Sequence, residues 1–270
     1  MVLKGEHAIV TGGGRGIGRA IALRFAQEGA AVLVAARTAA ELEAVAEEIR
    51  SRGIGNGGRA GHGGQAAVVV ADVSQPAGCE RIYAAAIEEF GRVDILVNNA
   101  GVMGPLQPVH KITAEEWDAV MAANLRSAFL LSRLAVPGML ERGRGVILNI
   151  SSVAAKMAFG LNSPYAASKA GIVALTRTLA AEVSRHGVRV NAICPGPVPE
   201  TRMSQEIGEG LSRLFGKHPS EILEGALKGV LQGRGQSAEE IAAAAVFLCS
   251  EQASAITGQA MNVDGGMAFY

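Results

Sequence analysis

Thr11-Gly12-Gly13-Gly14-Arg15-Gly16-Ile17-Gly18 lies between a short apolar run, His7-Ala8-Ile9-Val10, and a helical pattern, Arg19-Ala20-Ile21-Ala22-Leu23-Arg24-Phe25-Ala26. The glycines therefore stand at a strand-to-helix junction. Without a Cβ the backbone turns sharply there, and a pyrophosphate can approach the unpaired N–H groups at the positive end of the following helix. The implied ligand is a dinucleotide. The spacing is G-x-x-x-G-x-G, looser than the tight G-x-G-x-x-G fingerprint, so the turn carries weight only if the rest of the chain agrees.

Outward from that turn, short β-branched runs alternate with amphipathic stretches. Strands are predicted near 7–11, 31–35, 66–70, 93–97, 145–150, 188–193 and 259–263. Helices are predicted near 17–28, 39–51, 76–90, 114–137, 164–185 and 238–249. This alternation implies an α/β fold, a Rossmann-like doubly wound sheet of about seven parallel strands with helices on both faces. Thr113-Ala114-Glu115-Glu116 and Ser237-Ala238-Glu239-Glu240 fit a capping box, and Ser163-Pro164 reads as an N-cap followed by proline in the first helical position. With no internal repeat or linker, residues 1–270 read as one dinucleotide-binding and catalytic domain.

Two stretches break the rhythm. Residues 53–64 carry glycine at seven of twelve positions and read as a flexible surface insertion. Residues 197–236 follow the sixth strand and carry Met203, Ile207, Leu211, Leu214, Phe215, Ile222, Leu223, Leu227, Val230 and Leu231 at spacings that suggest short amphipathic helices. Such a segment lies at the carboxyl ends of a parallel sheet, where ligands bind, and is expected to be a substrate lid.

With 25 basic and 25 acidic side chains the formal charge is zero, which favours neither nucleic acid nor an anionic membrane as partner. A small molecule is the expected partner. Cys79, Cys194 and Cys249 are widely spaced and read as buried thiols rather than disulfides or metal ligands, which fits a cytoplasmic protein. No signal-like region begins the chain, and no uninterrupted apolar run approaches the ~20 residues of a membrane span.

Tyr165 and Lys169 are four residues apart on a predicted helix and so share a face. Reducing a carbonyl requires a proton at its oxygen, and a phenol of pKa about 10 is a poor donor and acceptor. Lowering it by about three units requires ~4 kcal/mol of preference for the phenolate. An ammonium about 4 Å away at an effective dielectric of about 20 supplies roughly that amount. Ser152, at the end of the strand Val146-Ile147-Leu148-Asn149-Ile150, could hydrogen-bond the substrate oxygen, and Ser151 is its rival.

Taken together, Thr11 to Gly18, Asp72-Val73, Asn98-Asn99-Ala100-Gly101, Asn124, Ser152, Tyr165-Ala-Ala-Ser-Lys169, Pro195-Gly196, and Gly258-Gln259 through Asp264-Gly265-Gly266 resemble the single-domain short-chain dehydrogenase/reductases along nearly the whole chain. The nearest flavour is the 3-oxoacyl-carrier-protein reductase group. The resemblance implies Ser152, Tyr165 and Lys169 as catalytic residues, with Asn124 holding a water in a proton relay from Lys169. It implies that Gly12, Gly14, Arg15, Gly16, Ile17 and Gly18 meet the cofactor, as do Tyr165 and Lys169. Asp72 and Val73 would meet the adenine, and Asn99, Ala100 and Gly101 the ribose side. In that family a threonine four residues after the Pro-Gly pair binds the nicotinamide carboxamide. Here Thr201 stands one residue further, and Val198 fits the position better. The resemblance also implies a homotetramer in which the helices at 114–137 and 164–185 pair between subunits and the C-terminal strand lies at another interface.

The end of the second strand bears on the choice of nicotinamide. Ala36 stands where a carboxylate would bind both ribose hydroxyls, and Arg37, Thr38 and Arg15 surround it, so NADP(H) is expected. The expected reaction is reduction of a small or medium carbonyl, or oxidation of a secondary alcohol. The alternatives are an NAD-dependent alcohol or polyol dehydrogenase of the same family and a catalytically silent dinucleotide-binding regulator.

Overall fold

The computed structural model describes residues 1–51 and 65–270. The glycine-rich insertion expected at 53–64 lies outside the described residues. Among the described residues, β1 (His7–Thr11), β2 (Ala31–Ala36), β3 (Ala66–Val70), β4 (Ile95–Asn98), β5 (Gly145–Ile150), β6 (Val188–Pro195) and β7 (Ala260–Val263) form one parallel sheet in the order β3-β2-β1-β4-β5-β6-β7. In register, Thr11 lies beside Ala35 on one flank, and Val10 beside Val97 on the other. Strand order reverses between β1 and β4, so the loops leaving these two strands diverge and open a crevice at their carboxyl ends.

Between the strands run α1 (Gly16–Gln27), α2 (Ala39–Ser51), α3 (Pro76–Phe90), α4 (Ala114–Met121), α5 (Ser127–Arg142), α6 (Ser163–Val183), α7 (Arg202–Phe215), α8 (Pro219–Leu227) and α9 (Ala238–Cys249). Alternate strand residues serve opposite faces, as a period of two requires. Ala8, Val10, Val32, Val34 and Leu148 pack with Ile21 and Phe25 of α1, Leu42 and Ile49 of α2, and Ile241 and Leu248 of α9. Ile9, Leu33, Ala35 and Ile147 pack on the other side with Ile82 of α3, Leu131 and Met139 of α5, and Val183 of α6. Each such large side chain, fully buried, contributes ~1.5–3 kcal/mol, so the sheet is held rigidly from both sides and its loop ends are fixed in place.

Both expected capping boxes form, at Thr113 with Glu116 and at Ser237 with Glu240. The third start signal differs. Asn162 is the N-cap of α6 and Ser163 is already helical, because Leu161 at φ 70° turns the chain one residue earlier. The helix expected at 114–137 is interrupted by a π-helical turn, Ala122–Arg126, and then runs on through Pro137 to Arg142. It ends at Gly143, whose φ of 65° suits a residue without a Cβ. By length and mean hydropathy the stretch Ala114–Arg142 could cross a membrane. Here Ala128, Leu131, Ala135 and Met139 are buried, and the last three pack in the core beside α3, as in a core helix.

Candidate active site

Helix α6 carries Tyr165 and Lys169 one turn apart against the end of β5, and both are buried, with 9% and 3% of their surfaces exposed. The Lys169 ammonium donates to the Ile150 carbonyl at 2.8 Å and stands 5.6 Å from the centroid of the Tyr165 ring. Burial pushes the Tyr165 phenol above its ordinary value, the Ser152 hydroxyl draws it back, and Cys194 adds to the rise. Burial also pushes the Lys169 ammonium down, to about 8. The rise of the phenol runs opposite to the acidification expected from a neighbouring ammonium. Lys169 directs its charge at the Ile150 carbonyl, and desolvation is the largest influence on the Tyr165 phenol.

The two serines after β5 divide their work. Ser151 Oγ donates to the Lys169 carbonyl at 2.9 Å, and its N–H donates to the Ile193 carbonyl at 2.7 Å, so it ties α6 and β6 to the strand end. Ser152 stays half-exposed, accepts from the Ala154 N–H at 3.1 Å, and is the hydroxyl that acts on Tyr165. Position 152, not 151, thus joins the phenol.

Asn124 lies within the π-helical turn and is 1% exposed. Its Oδ1 accepts from the Val102 N–H at 2.8 Å, and its Nδ2 donates to the Val102 carbonyl and to Ser168 Oγ, both at 2.9 Å. The side chain therefore clamps the loop leaving β4 onto α6. A Cβ at Gly101, in that loop, would come within 3.2 Å of Asn124 Oδ1 and 3.4 Å of Lys169 Nζ. π-Turns of this kind occur often at functional sites because they free and re-aim backbone groups.

The glycine turn fills the β1 side of the crevice. A Cβ on Gly18 would lie 2.2 Å from the Gly12 carbonyl oxygen, and one on Gly12 would lie 2.8 Å from Asn99 Nδ2. Gly12 and Gly16 also hold φ of 65° and 52°. Asn99 Nδ2 donates to the carbonyls of Thr11 at 2.8 Å and Gly12 at 3.3 Å, so its side chain braces the turn. Thr11 Oγ1 donates to the Val97 carbonyl and accepts from the N–H groups of Asn99 and Ala100 at 3.0 and 3.1 Å. Ile17 packs into the core beneath the turn. The bracing role of Thr11 was missed in the sequence, although the residue opens the quoted motif.

On the flank of β2, Arg37 and Thr38 are exposed, and Arg37 makes no ion pair or hydrogen bond with the described residues. Arg15 does: its guanidinium meets Glu41 of α2 at 3.0 Å, and a Cβ on Gly14 would lie 3.0 Å from the Glu41 Cβ. No carboxylate stands at the end of β2 itself, but Glu41 brings one to this edge from the first turn of α2. Asp72 accepts from the Ser74 N–H at 2.9 Å in an Asx turn just after β3, and Val73 beside it is 9% exposed.

Val198, in the loop after β6, is 3% exposed and its side chain packs in the core. Thr201 caps α7, donating from Oγ1 to the Val198 carbonyl at 2.8 Å and accepting from the Ser204 N–H at 3.3 Å. Its methyl would lie 3.4 Å from a Cβ on Gly16, so the first turn of α7 sits over the glycine turn. Within 197–236 the expected short helices are α7 and α8.

Three comparisons bear on this geometry. The family profile described as short chain dehydrogenase matches residues 6–212. The chain is 40% identical over 266 residues to 2-(S)-hydroxypropyl-CoM dehydrogenase 3 of Xanthobacter autotrophicus, covering 98% of this chain and 97% of that one. It is 35% identical over 267 residues to the 3-oxoacyl-acyl-carrier-protein reductase of Escherichia coli, covering 99% of each. Among solved structures, a variant actinorhodin polyketide ketoreductase with NADPH superimposes with a TM-score of 0.90 at 36% identity, covering 98% of both chains. Sheet order, glycine crevice and sequence likeness agree that this chain belongs to the short-chain dehydrogenase/reductase family of oxidoreductases.

Proposed function

We propose that the chain interconverts a carbonyl compound and its secondary alcohol with NADP(H), and that Tyr165 moves the proton. The observation that carries this reading is the buried Tyr165 phenol with Ser152 beside it and Lys169 one turn along the same helix.

The glycine turn fits a dinucleotide, because side chains at Gly12 or Gly18 would collide with Asn99, Ala100 and the Gly12 carbonyl and so spoil the tight turn that presents its N–H groups to a pyrophosphate. Gly12, Gly14, Arg15, Gly16, Ile17 and Gly18 would hold the pyrophosphate side. Asp72 and Val73 would hold the adenine, Asn99, Ala100 and Gly101 the ribose, and the loop with Val198 and Thr201 the nicotinamide side. Bound there, the nicotinamide supplies or takes up the hydrogen and electron pair exchanged at the carbonyl carbon. Burial keeps Tyr165 protonated at neutral pH, so the proton is present on the phenol and passes to the carbonyl oxygen only as that oxygen gains negative charge. Ser152 would hydrogen-bond the same oxygen, and Lys169, near 8, can return the proton. Asn124 keeps the β4 loop against that pair and would hold the relay water.

NADP(H) is favoured over NAD(H) by Arg37 and Thr38 beside Ala36, and by the NADPH named with the ketoreductase relative. Glu41 competes for Arg15, but that ion pair is solvent-exposed and worth about 0–1 kcal/mol. A charge-assisted bond from Arg15 to a 2′-phosphate, at ~1.5–3 kcal/mol, outweighs it.

Residues 197–236, with α7 and α8, would close over a small or medium carbonyl. The relatives named above act on a 3-oxoacyl group, a polyketide and a hydroxypropyl compound, which supports a ketone as substrate. A homotetramer is supported by the apolar groove lined by Met121, Leu125, Phe129, Gly171 and Leu175, on the helices expected to pair.

The test is a panel of ketones and secondary alcohols followed by nicotinamide absorbance with both cofactors. Turnover with a clear NADPH preference supports the reading. Tight NADPH binding with no turnover across the panel would instead favour the silent regulator.

A further inference from the structure

Four residues beyond Ser152, the chain reaches Lys156, a half-buried lysine that no step above uses. Its ammonium donates to the Ala260 carbonyl and to Asn262 Oδ1, both at 2.7 Å, and both acceptors belong to the edge strand β7. Asn262 Nδ2 in turn donates to the Ala268 carbonyl at 2.8 Å, and the Ala268 N–H donates to Asp264 at 2.8 Å. The Tyr270 hydroxyl, on the last residue of the chain, donates to the Lys156 carbonyl at 2.9 Å. The segment that carries Ser152 is thus strapped at Lys156 to a strand and tail more than 100 residues away, from the side chain and from the backbone alike.

The ammonium has no carboxylate partner among the described residues, so its position is set by neutral acceptors whose geometry is fixed by β7. It also sits close to the catalytic floor. Of the groups that pull the Cys194 thiol back down against its burial, Lys156 is the strongest and Lys169 the weakest. Between Ser152 and Lys156 runs a single short turn, Val153–Ala155, in which the Ala155 N–H donates to the Ser152 carbonyl and the Lys156 N–H to the Val153 carbonyl. These two successive hydrogen bonds tie Lys156 to Ser152 through one short turn, so a shift at Lys156 reaches Ser152.

We propose that Lys156, held by Asn262 and Tyr270, is a positioning residue that sets where the Ser152 hydroxyl stands relative to Tyr165, so that the C-terminal strand and tail tune the catalytic step. This rests on the oxidoreductase reading for its effect on rate, although not for the strap itself. Small misplacement of a group that must meet the substrate oxygen costs rate steeply.

The test compares wild type with Lys156→Met, Lys156→Arg and a chain lacking Tyr270, using NADPH and ethyl 3-oxobutanoate as probes, alongside amide hydrogen exchange. Lys156→Met is expected to lower kcat by about tenfold with KM for NADPH unchanged. Lys156→Arg should restore most of that loss, and removing Tyr270 should give a smaller loss of the same kind. Exchange at residues 153–157 should speed up in Lys156→Met while β1 stays protected. Unchanged exchange at 153–157, or a kcat within twofold of wild type, would overturn the proposal. If the wild type turns over no carbonyl at all, the oxidoreductase reading falls, and the exchange comparison alone decides whether the strap exists.

Discussion

The Lys169 ammonium lies over the Tyr165 ring, 5.6 Å from its centroid, and gives its hydrogen bond to the Ile150 carbonyl rather than to the phenol. The two groups are thus neighbours whose protonation is governed by burial, the phenol held up and the ammonium held down. Both groups therefore carry their protons at neutral pH.

Replacing Tyr165 by Phe removes the proton and little else, since the ring can keep its packing. Carbonyl reduction is expected to fall by about 10²–10⁴-fold, with NADPH affinity within a few-fold of wild type. Steady-state kinetics together with a fluorescence titration of NADPH separate the two. A variant that keeps a tenth of the activity would remove Tyr165 from the acid–base role.

The stability of the cofactor-free protein should carry the mark of Lys169. Its ordinary value is 10.5 and burial brings it to about 8, so between these limits the unfolded chain binds more protons than the folded one. Stability from this group therefore rises as pH climbs from about 8 to 10.5. The buried thiols act oppositely: Cys79 is pushed up to about 11 and Cys249 to about 12, so their contributions fall above pH 9. Both thiols are common to wild type and Lys169→Met. Urea melts at a series of pH values should show the advantage of Lys169→Met over wild type shrinking across that window. A constant difference would contradict the account.

Cofactor choice is expected to follow the end of β2. Ala36→Asp with Arg37→Ile places a carboxylate beside the ribose and removes the unpaired guanidinium. The ratio of kcat/KM for NADPH over NADH should drop by about 10²-fold, the equivalent of one to two charge-assisted hydrogen bonds. A wild-type preference for NADH, or no change in the double variant, would count against NADP(H).

At Gly18 the constraint is steric rather than conformational. A methyl there would stand 2.2 Å from the Gly12 carbonyl oxygen and 2.4 Å from Asn99 Nδ2, and the first of these is backbone. Gly18→Ala should destabilise the fold by about 1–3 kcal/mol and abolish dinucleotide binding, measured by thermal melting and titration. Ala at Gly91, which has open space around its Cβ direction, is the control for a generic glycine effect, although its φ of 75° will cost it something too.

Much of this was legible from local pattern. The strand at 145–150 and the helix at 76–90 fall where the sequence puts them, because alternation, helical periodicity and a first-turn proline act over a few residues. The capping boxes at Thr113 and Ser237 form for the same reason. The buried ladder from Asn98 Nδ2 to Asn149 Oδ1 at 2.9 Å, and from Asn149 Nδ2 to Thr176 Oγ1 at 2.8 Å, left no such trace. Its members sit on β4, β5 and α6, and nothing in a strand pattern says which polar residue will meet which.

The amino-acid order by itself settles the succession of strands and helices and the glycine turn after the first strand, since these depend on stereochemistry and hydrophobic spacing between near neighbours. Only the folded chain decides that Ser152 and not Ser151 joins Tyr165, that Glu41 holds Arg15, that Thr201 serves as a helix cap, and that Lys156 reaches β7. These are meetings of segments brought together by the packing of the sheet, where a shift of one residue or a few tenths of an ångström changes which atoms bond.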